Sequence, residues 1–248
     1  MRTAAPRPRV LVLQHAETEP PGAYQSALDD LADLTLVHAW SEPLPPDPSA
    51  FDGIVAMGGG MGVADADTLG WLRAEIGFLR RALEQGVAVW GVCLGSQLLA
   101  TALGARVYTG AVPEIGIHEV ALTEDGRADE LWGSLTPTPL RTVQWHFDSF
   151  DLPTGAVRLA SSAAYANQVF RHGNSYGVQC HLEADRTMVK AWLDAESQAT
   201  VEAAIGGAAT ERFPADAAVT AAVTAPLADA LLRRWLTLLG SAAAAPTD

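Results

Sequence analysis

Cysteine and basic residues are both scarce in this sequence. Its 248 residues include two cysteines, Cys93 and Cys180, so we expect no disulfide framework and a reducing, cytoplasmic compartment. Sixteen Lys and Arg residues stand against 29 Asp and Glu residues, and the formal net charge is −13. Because such a chain repels phosphate groups, nucleic acids and anionic membrane surfaces are not expected as partners.

Long apolar runs are also missing. The first apolar run, residues 10–13, is too short for the core of an export signal, and we expect no segment that crosses a bilayer. Hydrophobic residues nevertheless make up 49% of the chain, enough for one large core. We therefore expect a single domain over residues 1–240, followed by a disordered tail over residues 241–248.

Short apolar runs alternate with helical patterns in the first half of the chain. Runs at residues 10–13, 54–57 and 87–92 are typical of buried parallel strands, and residues 24–34 and 69–85 have helical periodicity. The order β-α-β-β-α-β-α predicts a doubly wound, mostly parallel α/β sheet of the flavodoxin-like type. Ligands of such sheets bind beyond the carboxyl ends of the strands.

The second half of the chain predicts an antiparallel elaboration and a C-terminal helical cover. Short strand patterns occur at residues 117–120, 140–146, 157–161, 168–171 and 176–181. Helical patterns follow at residues 188–204 and 216–239, the second with a break or kink expected near Pro226. These helices either cover the sheet or form an interface, and the sequence does not choose between the two.

Cys93 lies where a predicted strand turns into a predicted helix. Gly91 and Gly95 flank it at two residues on either side, as in the G-x-S-x-G nucleophile elbow with cysteine in place of serine. A cysteine at a helix N-terminus is favoured as the thiolate, the nucleophilic form. The alternative is a buried structural cysteine, but the paired glycines favour the elbow.

A cysteine nucleophile needs a base, and the base needs an orienting group. Three of the six histidines have a carboxylate two residues further on, and they are His15 with Glu17, His146 with Asp148, and His181 with Glu183. At that spacing in a strand both side chains point to one face. Spacing alone does not rank the three pairs.

Five segments together carry a resemblance to a known family. They are the Gly-rich residues 57–63, the elbow at residues 91–97, residues 113–116, residues 144–150 and residues 177–183. In this order they resemble class I glutamine amidotransferases, specifically free-standing proteins similar to the amidotransferase half of GMP synthase. The resemblance covers nearly the whole chain, and it selects His181 among the three histidines.

The resemblance implies a Cys93, His181 and Glu183 triad that acts on glutamine or a γ-glutamyl compound. It also implies that backbone N–H groups of Gly59 and Leu94 stabilise the oxyanion, in a loop that includes Gly60. The residues implied to hold the two ends of glutamine are Gln97, Trp145, His146, Phe147 and Asp148. No cofactor is implied, and no metal is expected, since neither C-x₂-C nor H-E-x-x-H spacing occurs.

Three positions depart from the family pattern. Gly60 and Leu182 stand where proline is usual, and Cys180 stands where an aromatic residue is usual. Gly60 is expected to loosen the oxyanion loop. Cys180 alternates with His181, so we expect it to face the core.

Three hypotheses about function remain open at this point. Ammonia released from glutamine passes to a separate synthase, or the chain hydrolyses γ-glutamyl amides alone, or the fold serves as a non-catalytic binding module. Families whose elbow cysteine is followed at once by histidine are disfavoured, because Leu94 follows Cys93.

Overall fold

A mixed nine-stranded sheet organises the protein. The computed structural model describes residues 7–133 and 137–243. The strand order is β2-β1-β3-β4-β9-β8-β7-β5-β6. The five strands from β2 to β9 pair in parallel, and the pairs from β9 to β6 are antiparallel. The predicted fold class, a largely parallel sheet with an antiparallel elaboration, is confirmed.

The strands and helices have the following bounds. The strands are β1 (Arg9–Gln14), β2 (Asp33–His38), β3 (Gly53–Ala56), β4 (Ala88–Val92), β5 (Val107–Leu122), β6 (Leu140–Phe150), β7 (Val157–Ser162), β8 (Val169–His172) and β9 (Ser175–Val178). The α-helices are α1 (Gln25–Leu31), α2 (Gly70–Glu84), α3 (Leu94–Ala102), α4 (Glu124–Ala128), α5 (Arg186–Ala195), α6 (Gln198–Ile205) and α7 (Gly207–Ala243).

Helices cover both faces of the parallel strands. In β1, Val10 and Val12 face a core that includes residues of α1 and α7, whereas Leu11 and Leu13 face a core that includes residues of α2 and α3. The strand is buried on both faces, which explains why its sequence is continuously apolar and not alternating. A third cluster, in which Trp192 and Phe213 are large members, lies under α5, α6 and the start of α7.

One strand of the parallel half has a place in the predicted order β-α-β-β-α-β-α, but the sequence analysis assigned no residues to it. The helix predicted at residues 24–34 ends at Leu31, and Asp33–His38 forms the edge strand β2. Most of this strand is solvent-exposed, so no apolar run marks it. Its partner is β1, and only the finished sheet supplies that pairing.

The C-terminal helices differ from their predicted bounds. The pattern at residues 188–204 is divided between α5 and α6, and α7 begins at Gly207 and contains both Pro214 and Pro226. A proline removes one helix hydrogen bond, but the buried side chains beyond Pro226, including Trp235, hold the helix against the sheet. The predicted disordered tail is wrong for residues 241–243, which are helical, and residues 244–248 lie outside the described residues.

Helix α7 also corrects the expectation about long apolar segments. Its segment Gly207–Gly240 is long and apolar enough to cross a membrane by length and composition alone, and an 18-residue window in it has mean hydropathy 1.3. In this fold the helix packs Leu231, Leu232 and Trp235 into the core beside β4 and α1. This packing accounts for part of its apolar character, because 39% of that window is buried.

The packing of α3 on the sheet generates a stability prediction. A Cβ atom added at Gly95 would lie 2.0 Å from the carbonyl oxygen of Ala56, so Gly95→Ala requires backbone movement. We expect a loss of about 3 kcal/mol or more in unfolding free energy, measured by urea denaturation. Gly70→Ala is the matched control, because an added Cβ there meets nothing within 4 Å and is expected to be neutral or stabilising. Equal stability of the two variants would contradict this packing.

Candidate active site

Four adjacent parallel strands end at one edge of the sheet. The order β1-β3-β4-β9 brings together the loop after Gln14, the glycine-rich loop after Ala56, the elbow after Val92 and the segment after Val178. Side chains of these loops that are distant in sequence therefore become neighbours. The candidate site lies here, beyond the strand carboxyl ends.

Cys93 occupies a strained turn between β4 and α3. It has φ +47° and is the only described non-glycine residue with positive φ. The turn is tight enough that a Cβ added at Gly91 would lie 2.5 Å from the carbonyl oxygen of Gly95. The Cys93 N–H donates to Val178 O at 2.8 Å, which ties the elbow to β9. The backbone therefore makes a sharp strand-to-helix turn at Cys93, and the role of Cys93 as nucleophile stays a prediction.

His181 and Glu183 form a buried pair beside the elbow. His181 Nδ1 lies 2.7 Å from Glu183 Oε1, and both residues are at most 2% exposed. The sequence analysis placed His181 at the end of a strand, whereas both residues lie beyond the end of β9. One isolated β-bridge to Val143 positions His181. Burial lowers the pKa of His181, but the charge of Glu183 and interactions with Cys93 outweigh it and hold this pKa well above its ordinary value.

Two residues that the sequence analysis missed lie against His181. The ring of Trp192, on α5, is 4.7 Å from the His181 ring, and its Nε1 donates to Thr18 O at 3.0 Å. Glu19 follows β1, and its Oε2 atom is buried without a hydrogen-bond partner among the described residues. Burial, reinforced by Glu183 and opposed by His181, raises the pKa of Glu19 to about 7. No motif spacing signals either residue, because both reach the site from other segments of the chain.

The other two candidate histidines pair with carboxylates far away in sequence. His15 Nε2 lies 2.9 Å from Glu75 Oε1, and His146 Nε2 lies 3.1 Å from Glu114 Oε2. The expected pairings of His15 with Glu17 and of His146 with the Asp148 carboxylate are therefore wrong. His146 contacts only the backbone oxygen of Asp148, at 2.9 Å. Although burial opposes it, the hydrogen bond from His146 holds the pKa of Glu114 below its ordinary value.

His15 forms hydrogen bonds with the backbone of the glycine-rich loop. Its Nδ1 lies 2.8 Å from Met57 O and 3.1 Å from Gly58 O, so with Glu75 on Nε2 both ring nitrogens donate. Burial lowers the pKa of His15, but Glu75 and the two carbonyls raise it by more. The loop is held close to the elbow, since a Cβ at Gly59 would lie 2.9 Å from Leu94 Cδ2. Leu94 opens α3, where the first N–H groups have no carbonyl partner within the helix.

A cavity of about 130 Å³ adjoins Cys93, and we name it the first cavity. Its walls include every residue predicted to contact the oxyanion or the substrate: Gly59, Gly60, Leu94, Gln97, Trp145, His146, Phe147 and Asp148. Gln97 Nε2 donates to Gln179 Oε1 at 3.1 Å, and Gln179 Nε2 lies 3.6 Å from Cys93 Sγ. The structure brings these residues together, and their contacts with substrate stay a prediction.

The three departures from the family pattern have different surroundings. A Cβ at Gly60 meets nothing within 4 Å, so space does not require glycine there. Cys180 and Leu182 lie in the main core. Burial raises the pKa of Cys180 to about 12, with a contribution from Glu183, so its thiol is inert at neutral pH.

One group of side chains at the site has the geometry to hold a cation. Ligand atoms of Glu19, His181 and Glu183 all lie within 4.8 Å of one another. A metal bound there would occupy the imidazole that the triad needs as its base. The expectation of no metal requirement therefore stays a prediction.

Most of the chain matches the model of a known protein family. The model of the family described as glutamine amidotransferase class I matches residues 32–195. The chain belongs to this family. The glutamine amidotransferase match includes the elbow and the segment with His181 and Glu183.

Relatives of the chain differ in the activities that their names describe. A glutamine amidotransferase-like protein, YfeJ, of Salmonella typhimurium is 33% identical over 204 residues, 79% of this chain and 84% of that protein. One subunit of the glutamine-hydrolysing GMP synthase of Natronomonas pharaonis is 36% identical over 148 residues, 58% of this chain and 72% of that protein. A gamma-glutamyl-L-1-hydroxyisopropylamide hydrolase of a Pseudomonas species is 31% identical over 156 residues, 57% and 52% of the two chains.

The fold is shared with a solved glutamine amidotransferase. The crystal structure of the protein from Thermotoga maritima has a TM-score of 0.82 and 29% identity, over 93% of this chain and 98% of that one. This agreement supports the assignment of the chain to the amidotransferase family.

The two cysteines are expected to differ in reactivity. A chloroketone analogue of glutamine is predicted to alkylate Cys93 and to leave Cys180 intact in the folded protein, because Cys180 is buried with a pKa of about 12. Intact-mass and peptide mass spectrometry measure the sites. Cys93→Ala should take up no label, and urea should expose both thiols of the parent to iodoacetamide. Modification of Cys180 in the native protein would refute the prediction.

The His15–Glu75 pair predicts a pH-dependent stability. Because the folded-state pKa of His15 is raised above 6.5, its stabilisation is fully present below pH 6.5 and is lost as pH rises through the raised value. Glu75→Gln should therefore lower the unfolding free energy by about 3 kcal/mol near pH 6 and by less near pH 9. Urea denaturation at both pH values measures the difference, with the exposed Glu84→Gln on the same helix as control. A constant difference would count against the charged pair.

Proposed function

We propose that this amidotransferase-family chain hydrolyses a γ-carboxamide through a γ-glutamyl thioester on Cys93. The observation that carries the proposal is the joint placement of the Cys93 elbow, the His181–Glu183 pair and the first cavity at one sheet edge. Nucleophile, base and orienting group are the three parts that such chemistry needs. The triad roles are inferred from this geometry and the family resemblance.

In the first half-reaction Cys93 Sγ attacks the γ-carbonyl carbon of the substrate. The carbonyl oxygen becomes an oxyanion, which backbone N–H groups of Gly59 and Leu94 stabilise. Since His181 Nδ1 is bound to Glu183, Nε2 is the nitrogen that exchanges protons. It takes the proton of the Cys93 thiol and gives it to the departing nitrogen, the C–N bond breaks as the oxyanion collapses, and a γ-glutamyl thioester remains.

In the second half-reaction water attacks the thioester. His181 Nε2 takes the proton of the water, the C–S bond breaks, and glutamate and the free thiol result. Glu183 stabilises the imidazolium that forms in each half-reaction, and its effect is strong because both groups are buried. No step needs a cofactor.

The fate of the nitrogen has two candidate answers. By likeness to the GMP synthase relative, ammonia passes to a separate synthase. By likeness to the γ-glutamylamide hydrolase, the chain acts alone on an amide. A second, larger cavity beside Cys93 favours the latter, because ammonia needs far less space. We also propose a cytoplasmic location and a single domain over residues 1–240.

The catalytic proposal predicts the effects of two substitutions. Cys93→Ala should abolish glutamate release, by at least about 10³-fold in kcat, and Glu183→Gln should lower kcat by about 10²- to 10⁴-fold. An enzyme-coupled glutamate assay on glutamine and on γ-glutamyl anilide measures both. Cys180→Ala is the matched control, because it removes the other thiol. Full activity of Cys93→Ala, or an acyl adduct on another residue, would exclude the mechanism.

A further inference from the structure

The second cavity lies on the His181 side of Cys93. It has a volume of about 350 Å³, and Thr18, Glu19, Trp192 and Ala195 belong to its walls and not to those of the first cavity. Cys93, Trp145, the glycine-rich loop and Glu196 are common to both. Cys93 therefore belongs to the wall that the first and second cavities share.

The second cavity lies where the leaving group of an amide substrate would be. The nitrogen that departs must lie at His181, and the second cavity is walled by Trp192, whose ring is 4.7 Å from the His181 ring. Glu19, on the same wall, has a carboxylate oxygen within 4.8 Å of ligand atoms of both His181 and Glu183. Because one water-sized molecule needs only about 10–15 Å³ by the same measure, ammonia alone would leave most of the cavity unfilled.

The walls of the second cavity are acidic and aromatic. Among its described lining residues are two carboxyl side chains, Glu19 and Glu196, and no Lys, Arg or His. Trp145 and Trp192 both line the cavity with their rings 5.8 Å apart, and indole rings attract cations. An amine that carries a positive charge fits this wall, whereas one that carries a carboxylate is repelled.

Glu19 is a buried carboxylate with one oxygen that accepts no hydrogen bond from the described residues. It is 7% exposed, and its Oε2 has no partner within the described residues. Because Glu19 lines the second cavity, an ammonium group bound there can form a charge-assisted hydrogen bond with its carboxylate. Burial raises the pKa of Glu19 to about 7, so a bound cation also draws it into the carboxylate form.

We infer that the second cavity is a leaving-group subsite for a cationic amine, so that the substrate class is the γ-glutamyl amide of a short diamine. The inference rests on the proposed thioester mechanism. Attack by Cys93 breaks the amide C–N bond, His181 protonates the nitrogen, and the diamine leaves through the second cavity. Water then completes hydrolysis to glutamate. Glu19 and Glu196 bind the distal ammonium and set specificity.

The test compares three γ-glutamyl amides of equal chain length with different leaving-group charge. The 3-aminopropyl amide is cationic, the butyl amide is neutral, and the 2-carboxyethyl amide is anionic. We expect kcat/KM for the cationic amide to exceed that of the neutral one by about tenfold or more, with the anionic amide poorest. Free glutamine is measured in parallel.

Substitutions assign the preference to its residues. Glu19→Gln should lower the cationic-to-neutral ratio of kcat/KM toward one, and Glu196→Gln should lower it less because Glu196 is exposed. Asp194→Asn is the matched control, since Asp194 is an exposed acid on α5 that does not line the cavity. The ratio is taken within each variant, so a general loss of activity cancels.

If Glu19→Gln abolishes turnover, binding decides. Calorimetry then compares the three amides with Cys93→Ala and with the Cys93→Ala, Glu19→Gln double variant, after circular dichroism has verified folding. A preference for the neutral or anionic amide or for free glutamine, or a preference that Glu19→Gln does not change, overturns the subsite while the thioester mechanism stands. Failure to hydrolyse any amide or glutamine, with no acyl adduct on Cys93, overturns the proposed function itself.

Discussion

The close contact between the first turn of α3 and strands β3 and β4 determines the site. Two glycines permit the contact, and no side chain fits between Gly95 and Ala56 O. The chain can then reverse direction only with Cys93 at positive φ, a strain of about 1–3 kcal/mol. Hydrogen bonds from Cys93 N to Val178 O and from Gly95 N to Met57 O hold it there. These same bonds connect the elbow to the strands that deliver His181 and the oxyanion loop.

Three buried histidine–carboxylate pairs surround this elbow, and their neighbours distinguish them. His15 has both ring nitrogens engaged by Glu75 and by backbone carbonyls, so it has no nitrogen left for a substrate. His146 is likewise bound at both nitrogens, by Asp148 O and Glu114. His181 has Nδ1 on Glu183, and its interactions with Cys93 contribute to its raised pKa. The three histidines have the same spacing to a carboxylate in sequence. In the structure His15 and His146 have both ring nitrogens bound, and His181 is the candidate base.

Spacing in the sequence predicted the elbow around Cys93, because its glycines lie within one short segment at a strand end. The family resemblance, and not spacing, selected the His181–Glu183 pair and the predicted substrate contacts. Glu75, Glu114 and Trp192 form hydrogen bonds with residues 60, 32 and 174 positions away, and only the assembled sheet and helices bring those partners near. The residues of the exposed strand β2 were not located for the same reason, since its signal is its pairing with β1. The family resemblance compensated for this at His181, but it had no motif for Glu19.

The two cavities beside Cys93 are built from different kinds of structure. The first is formed largely by backbone loops at the ends of core strands, where the close contacts that position the elbow leave little room for substitution. The residues peculiar to the second come from the loop after β1 and from α5 and its C-terminal end. Helix α5 packs through Met188, Val189 and Trp192 on the third cluster, apart from the main core. The proposed leaving-group subsite thus depends on side chains outside the main core, but Trp192 and Glu19 also lie beside His181, so this subsite and the candidate base share neighbours.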